Sequence, residues 1–431
     1  MTVNWSPPNW LWGYFVPLGL LLLMWGGFHP RKARRITFLA AYTLAVAALC
    51  YWAVGFAFHM GGAQAVQPDN PALKGLGILF TILPDQPGWG FIGLDGFFLA
   101  GDSIGSEVFG FFLSYLPLIT TSVLLVTLVL FDLRRWIGIV SGFLIATVIV
   151  PVALCWTWGS GWLAHLGETM GFGYGYVDFG GSSIILWVPA LVALGILLVQ
   201  KKHKDQDAMP ANPPTSYAPL LANLGAVVMG LGWMGWILSN PFHIAGANLD
   251  WGRTALNMLL GMAGAILTSQ LYAWLVTGAP EVLLASRGLV AGWAGLIVGA
   301  PFLSTWMSLL VGLFAGLVFP FIHFAIDSRA RLRGSAGSLA LGLTAGPLGA
   351  LSVGFFADGR WGQAWNTMTT GADTLLEGTD QMPLGVAGLF VTGNAGQLKA
   401  QIIGLAALGL WGLIWGVMVG IAVRMLVPEA A

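Results

Sequence analysis

The stretch of sequence that decides the fold is YVDFGGSSIILWVPAL, residues 176–191. It places one carboxylate, Asp178, and a run of small residues directly before an apolar segment that contains no ionisable side chain. A carboxylate at the start of a helix suits the positive end of the helix dipole. Ionisable groups at membrane depth are rare and usually functional. We therefore expect Asp178 to cap a helix beside a functional site.

The composition of the chain is that of a membrane protein. Hydrophobic residues make up 57% of it and charged residues 8%, whereas about a quarter of the residues in a soluble domain are charged. The net charge is zero, so no nucleic-acid partner is expected. The cysteines, Cys50 and Cys155, both lie in apolar runs, and we expect neither a disulfide framework nor a metal site.

Eleven apolar stretches have roughly the length that a transmembrane helix needs, about 20 residues. Helices are expected because an open sheet leaves backbone groups unsatisfied in lipid. The predicted spans lie near 10–28, 37–58, 108–131, 137–157, 181–200, 218–239, 254–277, 288–302, 303–326, 337–357 and 400–423. The chain is thus predicted to be a single all-α membrane domain over residues 1–431, surrounded by lipid.

The basic residues predict the orientation of the chain. With the N-terminus outside, the inner loops and the C-terminal end collect fourteen of the 18 Lys and Arg residues, Arg287 among them. This agrees with the positive-inside rule. The first residues show neither the basic region nor the cleavage site of a signal peptide, so a retained first helix is expected. We predict a multi-pass protein of the plasma (inner) membrane with a cytoplasmic C-terminus.

Few ionisable side chains fall inside the predicted spans. Five of the six histidines lie in loops or at span edges, and His323 lies near the inner end of the ninth span. No Glu, Lys or Arg falls in the middle third of any predicted span. Carriers coupled to protons or sodium usually hold such groups. A passive pore for a small or neutral species, or no transport, is expected instead.

Five motifs, in order along the chain, resemble one family. The segments are LLLMWGGFHPRKARRITFLAAYTLAVAALCYWAVGFAF, WTWGSGWLAHLG, VDFGGSS, GLGWMGWILSN and TGAPEVLLASRGLVAGWAGLIVGAPFLSTW. Together they resemble the Amt/Mep/Rh ammonium transporters, in the order and topology of that family. The resemblance implies two inverted five-helix halves, about 10–200 and 218–357, and a bracing eleventh helix at about 400–423. It also implies a homotrimer, or a protomer held as a subunit of a larger membrane complex.

The resemblance assigns roles to several residues. Asp178 would order the backbone behind the outer ammonium site. The substrate vestibule would be formed by Trp158, Trp236, Ser239 and Asn240, where Asn240 replaces the family's outer hydroxyl and Ser239 stands beside it. No cofactor and no metal ion are implied. Because the chain stops at MLVPEAA soon after the last span, a cytosolic regulator that docks on a tail is not expected.

The chain also departs from the family pattern. The two pore histidines of the family fall at Leu186 and Gly342, neither of which can carry a proton. The family's second aspartate falls near Gly334, its helix-six asparagine at Ile237, and its helix-three aromatic gate near Leu118. We expect an apolar pore centre, in which Leu186 could plug the path and Gly342 would free space opposite.

Three functions remain open from the sequence. The first is a passive channel for ammonia or another small neutral molecule through a histidine-free pore. The second is a sensor that binds ammonium without conducting it, and the third is a non-conducting structural subunit of a larger membrane complex. An enzyme is not expected, because no span combines a nucleophile with a base or a cluster of metal ligands.

Overall fold

The computed structural model describes residues 10–28, 33–84, 86–101, 104–131, 133, 135–159, 161–200, 217–239, 249–330, 336–363, 365 and 385–426. Its apolar helices are α1 (Trp10–Trp25), α2 (Arg35–Val66), α3 (Ser106–Val129), α4 (Trp136–Thr157), α5 (Ser183–Val199), α6 (Ala218–Ser239), α7 (Trp251–Thr277), α8 (Val282–Leu296), α9 (Thr305–Ala330), α10 (Ala336–Phe356) and α11 (Gly396–Leu426). Within the described residues, eight are long and apolar enough to cross a membrane, whereas α1, α5 and α8 are shorter.

The helix bounds follow the predicted spans closely except at the end of α2, which lies at Val66 and not at 58, and at α8. The sequence placed this span at 288–302, but the helix runs over Val282–Leu296. It begins early because the Glu281 side chain accepts a hydrogen bond from the backbone N–H of Leu284 at 2.6 Å, which caps the first turn. As a result, Arg287 lies inside the helix and is buried, so its prediction as an inner-loop residue was wrong.

The non-helical backbone between α8 and α9 is held by polar side chains of α7. The Asn257 amide donates to the carbonyl oxygens of Ala300 and Leu303 at 2.8 and 2.7 Å. Arg253 also donates to Leu303 and forms an ion pair with Asp358. Where water is excluded, the polar groups of non-helical backbone need hydrogen-bond partners within the protein. These bonds therefore allow α8 to end well before the predicted residue 302.

Three of the apolar helices contain a π-helical turn, at Tyr51–Gly55, Ile145–Ile149 and Ser183–Trp187. In α5 the turn precedes Pro189, which has no N–H to donate to the carbonyl of Ile185. The hydroxyl of Ser122 in α3 donates to that carbonyl instead, at 3.1 Å. Single π-helical turns often mark functional sites, and two of these three turns carry residues discussed below.

Small residues allow the helices to approach closely. The triple Gly412, Gly416 and Gly420 of α11 lies against α5, where a Cβ on Gly416 would stand 2.3 Å from the carbonyl oxygen of Val192. In α9, a Cβ on Gly312 would stand 2.2 Å from the carbonyl oxygen of Gly261 in α7. Backbone-to-backbone contact thus supplies much of the interhelical packing.

A short hairpin covers one end of the bundle. The strands β1 (Leu79–Thr81) and β2 (Gly90–Gly93) are antiparallel. The indole N–H of Trp156, near the end of α4, donates to the carbonyl of Phe91 in β2 at 2.9 Å. The loop predicted at 59–107 is shorter than expected, because α2 continues to Val66.

Candidate functional site

The backbone before α5 is folded around the side chain of Asp178. This carboxylate is buried, and it accepts hydrogen bonds from the backbone N–H groups of Gly181 and Ser183 at 2.7 and 3.0 Å. The hydroxyl of Ser183 donates to the same carboxylate, and the Tyr176 hydroxyl donates to Ser183 at 2.8 Å. The side chain thus satisfies orphan N–H groups at the helix start, as the helix-cap prediction implies.

Burial raises the pKa of Asp178 from its ordinary value of 3.8 to about 6, although the hydrogen bonds from Ser183 and Gly181 oppose this shift. Burial likewise raises the pKa of Tyr176, and the nearby Asp178 adds to the effect. At neutral pH the carboxylate is therefore mainly ionised. Its negative charge lies directly behind the loop that faces Trp158.

Trp158 closes over this loop. Its indole N–H donates to the backbone carbonyl of Asp178 at 2.9 Å. The ring lies on Gly181, where a Cβ would stand 2.3 Å from the ring carbon Cη2 of Trp158. Gly181 also has φ of +77°, a conformation that favours glycine. Both the backbone conformation of the turn and the close contact with the indole ring therefore require glycine at this position.

Two tryptophans of α6 reach the same region. Trp233 donates from its indole N–H to the carbonyl of Gly180 at 2.8 Å, and Trp236 donates to that of Ser114 at 2.7 Å. The rings of Trp158 and Trp236 have centroids 5.8 Å apart, with an interplanar angle of 31°. The two predicted vestibule tryptophans thus meet, each held by a hydrogen bond to another segment.

Tyr115 of α3 completes this group, and the sequence analysis missed it. Its ring centroid lies 6.0 Å from that of Trp158 and 6.2 Å from that of Trp236. We call Tyr115, Trp158 and Trp236 the aromatic cluster. Leu118, which lies near the predicted place of the helix-three aromatic, is fully buried one turn further along α3. The spacing of Phe111 and Tyr115, one helical turn apart, was the available signal.

The side chains of the other two predicted vestibule residues lie outside the part of the chain that the structure describes. Ser239 is the last residue of α6, and its side chain is not described. Asn240 lies outside the described residues, as does Gly334. Ile237, at the place of the family's helix-six asparagine, is fully buried.

The two predicted pore positions lie against each other. Leu186 is fully buried in the π-helical turn of α5. Gly342 of α10 faces its backbone, since a Cβ there would stand 2.6 Å from the Leu186 carbonyl oxygen and 2.5 Å from the Ala190 Cβ. The expectation that Gly342 frees space opposite Leu186 was wrong. The missing side chain lets α10 approach α5, so the space is filled by backbone.

These observations define a multi-pass helical membrane protein with an aromatic cluster and a buried aspartate beside one end of a close-packed helix pair. A family model described as Ammonium Transporter Family matches residues 11–428. The chain therefore belongs to the ammonium transporter family, whose members are transporters rather than enzymes.

Several relatives and solved structures are similar to this chain. Ammonium transporter Amt2 of Archaeoglobus fulgidus is 25% identical over 354 residues, which cover 81% of this chain and 70% of the relative. Ammonium transporter 3 of Dictyostelium discoideum is 22% identical, over 92% of this chain and 82% of the relative. The Sensor Amt Protein structure has a TM-score of 0.71 at 18% identity, covering 98% of each chain. Candida albicans Mep2 has a TM-score of 0.70 at 19% identity, covering 97% of this chain and 85% of Mep2.

Proposed function

We propose that this protein is a passive channel that collects ammonium at the aromatic cluster and passes ammonia, or another small neutral molecule, along a histidine-free path. The observation that carries the proposal is the cluster itself, in which three rings meet in front of the loop ordered by Asp178. A cation over an aromatic face gains about 0.5–2 kcal/mol. Asp178 acts here through the backbone that it orders, not through contact with the cation.

The proposed permeant species is neutral because the two central positions cannot carry a proton. Leu186 and Gly342 offer no titratable group. Moving a dehydrated cation through apolar surroundings costs from a few to well over ten kcal/mol, depending on how much water follows it. Ammonia carries no such cost, so the cation is proposed to leave its proton outside the path.

A second candidate is a binding protein that does not conduct, either a sensor or a structural subunit of a larger membrane complex. The contact between Gly342 and the backbone of Leu186 favours it, since α5 and α10 approach closely at the level of the predicted pore. One structural neighbour carries the name Sensor Amt Protein. Measured flux distinguishes the two candidates.

The proposed architecture is eleven spans in two inverted halves, with the N-terminus outside the plasma membrane. The contacts support two equivalent halves, because α3 packs on α1 and α5 much as α8 packs on α6 and α10. At the centre α1 packs on α6, and α5 on α10. The long helix α11 contacts both α5 and α10, which suits a brace. We also propose the trimeric state typical of the family, unless a larger complex holds the protomer.

We further propose that the vestibule continues from the aromatic cluster to Ser239, the last residue of α6, and to Asn240, which follows it in the sequence. The proximity in sequence supports this, since only three residues separate Trp236 from Asn240. Either side chain supplies an oxygen that accepts a hydrogen bond from an ammonium ion. Replacement of each by alanine is expected to weaken ammonium uptake.

The test is flux into proteoliposomes that hold a pH-sensitive dye. After rapid mixing with ammonium chloride, wild type is expected to alkalinise the interior faster than empty liposomes. Trp158→Leu and Trp236→Leu are expected to slow the reaction about tenfold at low ammonium, as the loss of about 1.4 kcal/mol of binding implies. Trp274→Leu is the matched control, because this indole is 62% exposed on α7. Rates equal to those of empty liposomes would refute the channel.

A further inference from the structure

His59 is a buried histidine that the family resemblance does not account for. The sequence analysis placed it at a span edge, but it lies inside α2 and is fully buried. Its Nδ1 atom is 2.8 Å from the hydroxyl oxygen of Tyr51. Among the described residues, no atom makes a hydrogen bond to its other ring nitrogen, Nε2. Buried polar atoms without a partner are uncommon and call for an explanation.

The imidazole adjoins the aromatic cluster. Its ring centroid lies 4.6 Å from that of Tyr115, with an interplanar angle of 76°. The backbone of His59 is also fixed beside Trp158, since a Cβ on Gly159 would stand 2.1 Å from the His59 carbonyl oxygen. The buried imidazole is therefore in contact with one ring of the cluster and anchored beside a second.

The position of His59 depends on a local distortion of α2. Tyr51 and His59 are eight residues apart, and the π-helical turn Tyr51–Gly55 lies between them. Tyr51 is itself fully buried and stacks on Phe112 of α3, with centroids 5.3 Å apart. The hydroxyl that holds Nδ1 is thus fixed by packing, and the hydrogen bond to it orients the imidazole.

We propose that His59 is the hydrogen-bond acceptor for the ammonium ion at the aromatic cluster, and that Tyr51 orients its ring. This inference rests on the proposed function. In the required tautomer Nδ1–H donates to the Tyr51 oxygen, which leaves the lone pair of Nε2 free. Ammonium has four N–H donors and no acceptor, so it needs such a lone pair. The face of Tyr115 then stabilises the positive charge.

The proposal also defines the class of ligand. Ions that carry N–H donors, such as ammonium and methylammonium, satisfy both the lone pair and the ring faces. Tetramethylammonium carries the same charge but has no N–H group, so it gains only from the rings. Potassium has no donor either. His59 is therefore a specificity-determining residue in this account.

The experiment is equilibrium binding of radiolabelled methylammonium to the purified full-length protein, with ammonium chloride as competitor. His59→Phe keeps an aromatic ring but has no acceptor, and it is expected to raise the Kd about 10- to 100-fold, as for the loss of a hydrogen bond to a charged group. His59→Gln supplies an acceptor and is expected to stay within a few-fold of wild type. Tetramethylammonium is expected to compete equally poorly with wild type and with His59→Gln.

Tyr51→Phe keeps the proposal testable if a substitution of His59 prevents folding. It removes only the hydroxyl that orients the imidazole, and the Kd is expected to rise about three- to tenfold. An unchanged Kd for a folded His59→Phe or Tyr51→Phe protein would overturn the inference. Trp158→Leu separates the two proposals. If Trp158→Leu weakens methylammonium binding while His59→Phe does not, the inference about His59 is refuted and the proposed function stands. Absence of wild-type binding would refute both.

Discussion

Gly342→Ala tests whether the two predicted pore positions are closed by backbone contact. The added Cβ would stand 2.6 Å from the carbonyl oxygen of Leu186, whereas ordinary contact begins at 3.4 Å. The helices α5 and α10 must therefore separate by about 0.8 Å, in a region packed as densely as a crystal. Overpacking of this kind costs about 1–3 kcal/mol. Replacing a helical glycine by alanine returns about 0.5–1 kcal/mol.

Gly295→Ala is the matched control for this prediction. Gly295 is also buried in an apolar helix, but the nearest atom to its added Cβ would be the carbonyl oxygen of Ala345 at 3.8 Å. The gain in helix propensity is common to both variants, so the difference between them isolates the clash. Thermal unfolding of the purified protein in mild detergent is expected to give a Tm for Gly342→Ala about 1–3 °C below that of Gly295→Ala. Equal Tm values would show that the space opposite Leu186 is open.

Three further predictions concern charge, orientation and assembly. Because the raised pKa of Asp178 means that the folded state binds this proton more tightly, its contribution to stability is full below pH 3.8 and falls as the pH rises through about 6. Asp178→Asn removes this decline, so the difference between the Tm of wild type and that of the variant is expected to shrink from pH 4 to pH 7. The variant is also expected to lower the yield of folded protein more than it lowers the flux. Altered ammonium binding at an equal yield would contradict this structural role. In a variant without Cys50 and Cys155, an impermeant maleimide is expected to label Lys74→Cys from outside intact cells and Arg424→Cys only after lysis, and the reverse pattern would refute the orientation. Native mass measurement in mild detergent is expected to give a trimer, and a stable isolated monomer would count against it.

Most helix bounds could be predicted from the sequence, because a transmembrane helix needs a long uninterrupted apolar run. The helix α8 shows the limit of that rule. Its start depends on the cap formed by Glu281, and its early end depends on Asn257 and Arg253, which lie in another helix. The length of an apolar run reveals neither the cap nor the contacts from the other helix. Arg287 was placed in a loop for the same reason, although it lies in α8 and a Cβ on Gly337 of α10 would stand 2.6 Å from its guanidinium.

Only those residues of the candidate site that belong to a recognisable sequence motif could be predicted. Trp158 and Trp236 were found from their motifs, and the cap formed by Asp178 from its place before an apolar segment. Tyr115 was missed because a tyrosine in an apolar run looks like a packing residue. His59 was missed because the predicted span ended at residue 58, whereas α2 continues past His59 to Val66. The expectation for Gly342 was wrong because the sequence shows that a side chain is missing there, but it does not show how closely α10 then approaches α5.

The central claim is that substrate moves without its proton, and it is tested most directly by measuring current and flux on the same proteoliposomes. Liposomes adsorbed to a solid-supported membrane report charge movement when ammonium chloride is added, and the dye assay reports ammonia entry. The account predicts dye alkalinisation above that of empty liposomes, together with a current no larger than that of empty liposomes. A robust ammonium-dependent current in the protein-loaded sample would contradict the account and require a proton path past Leu186 and Gly342.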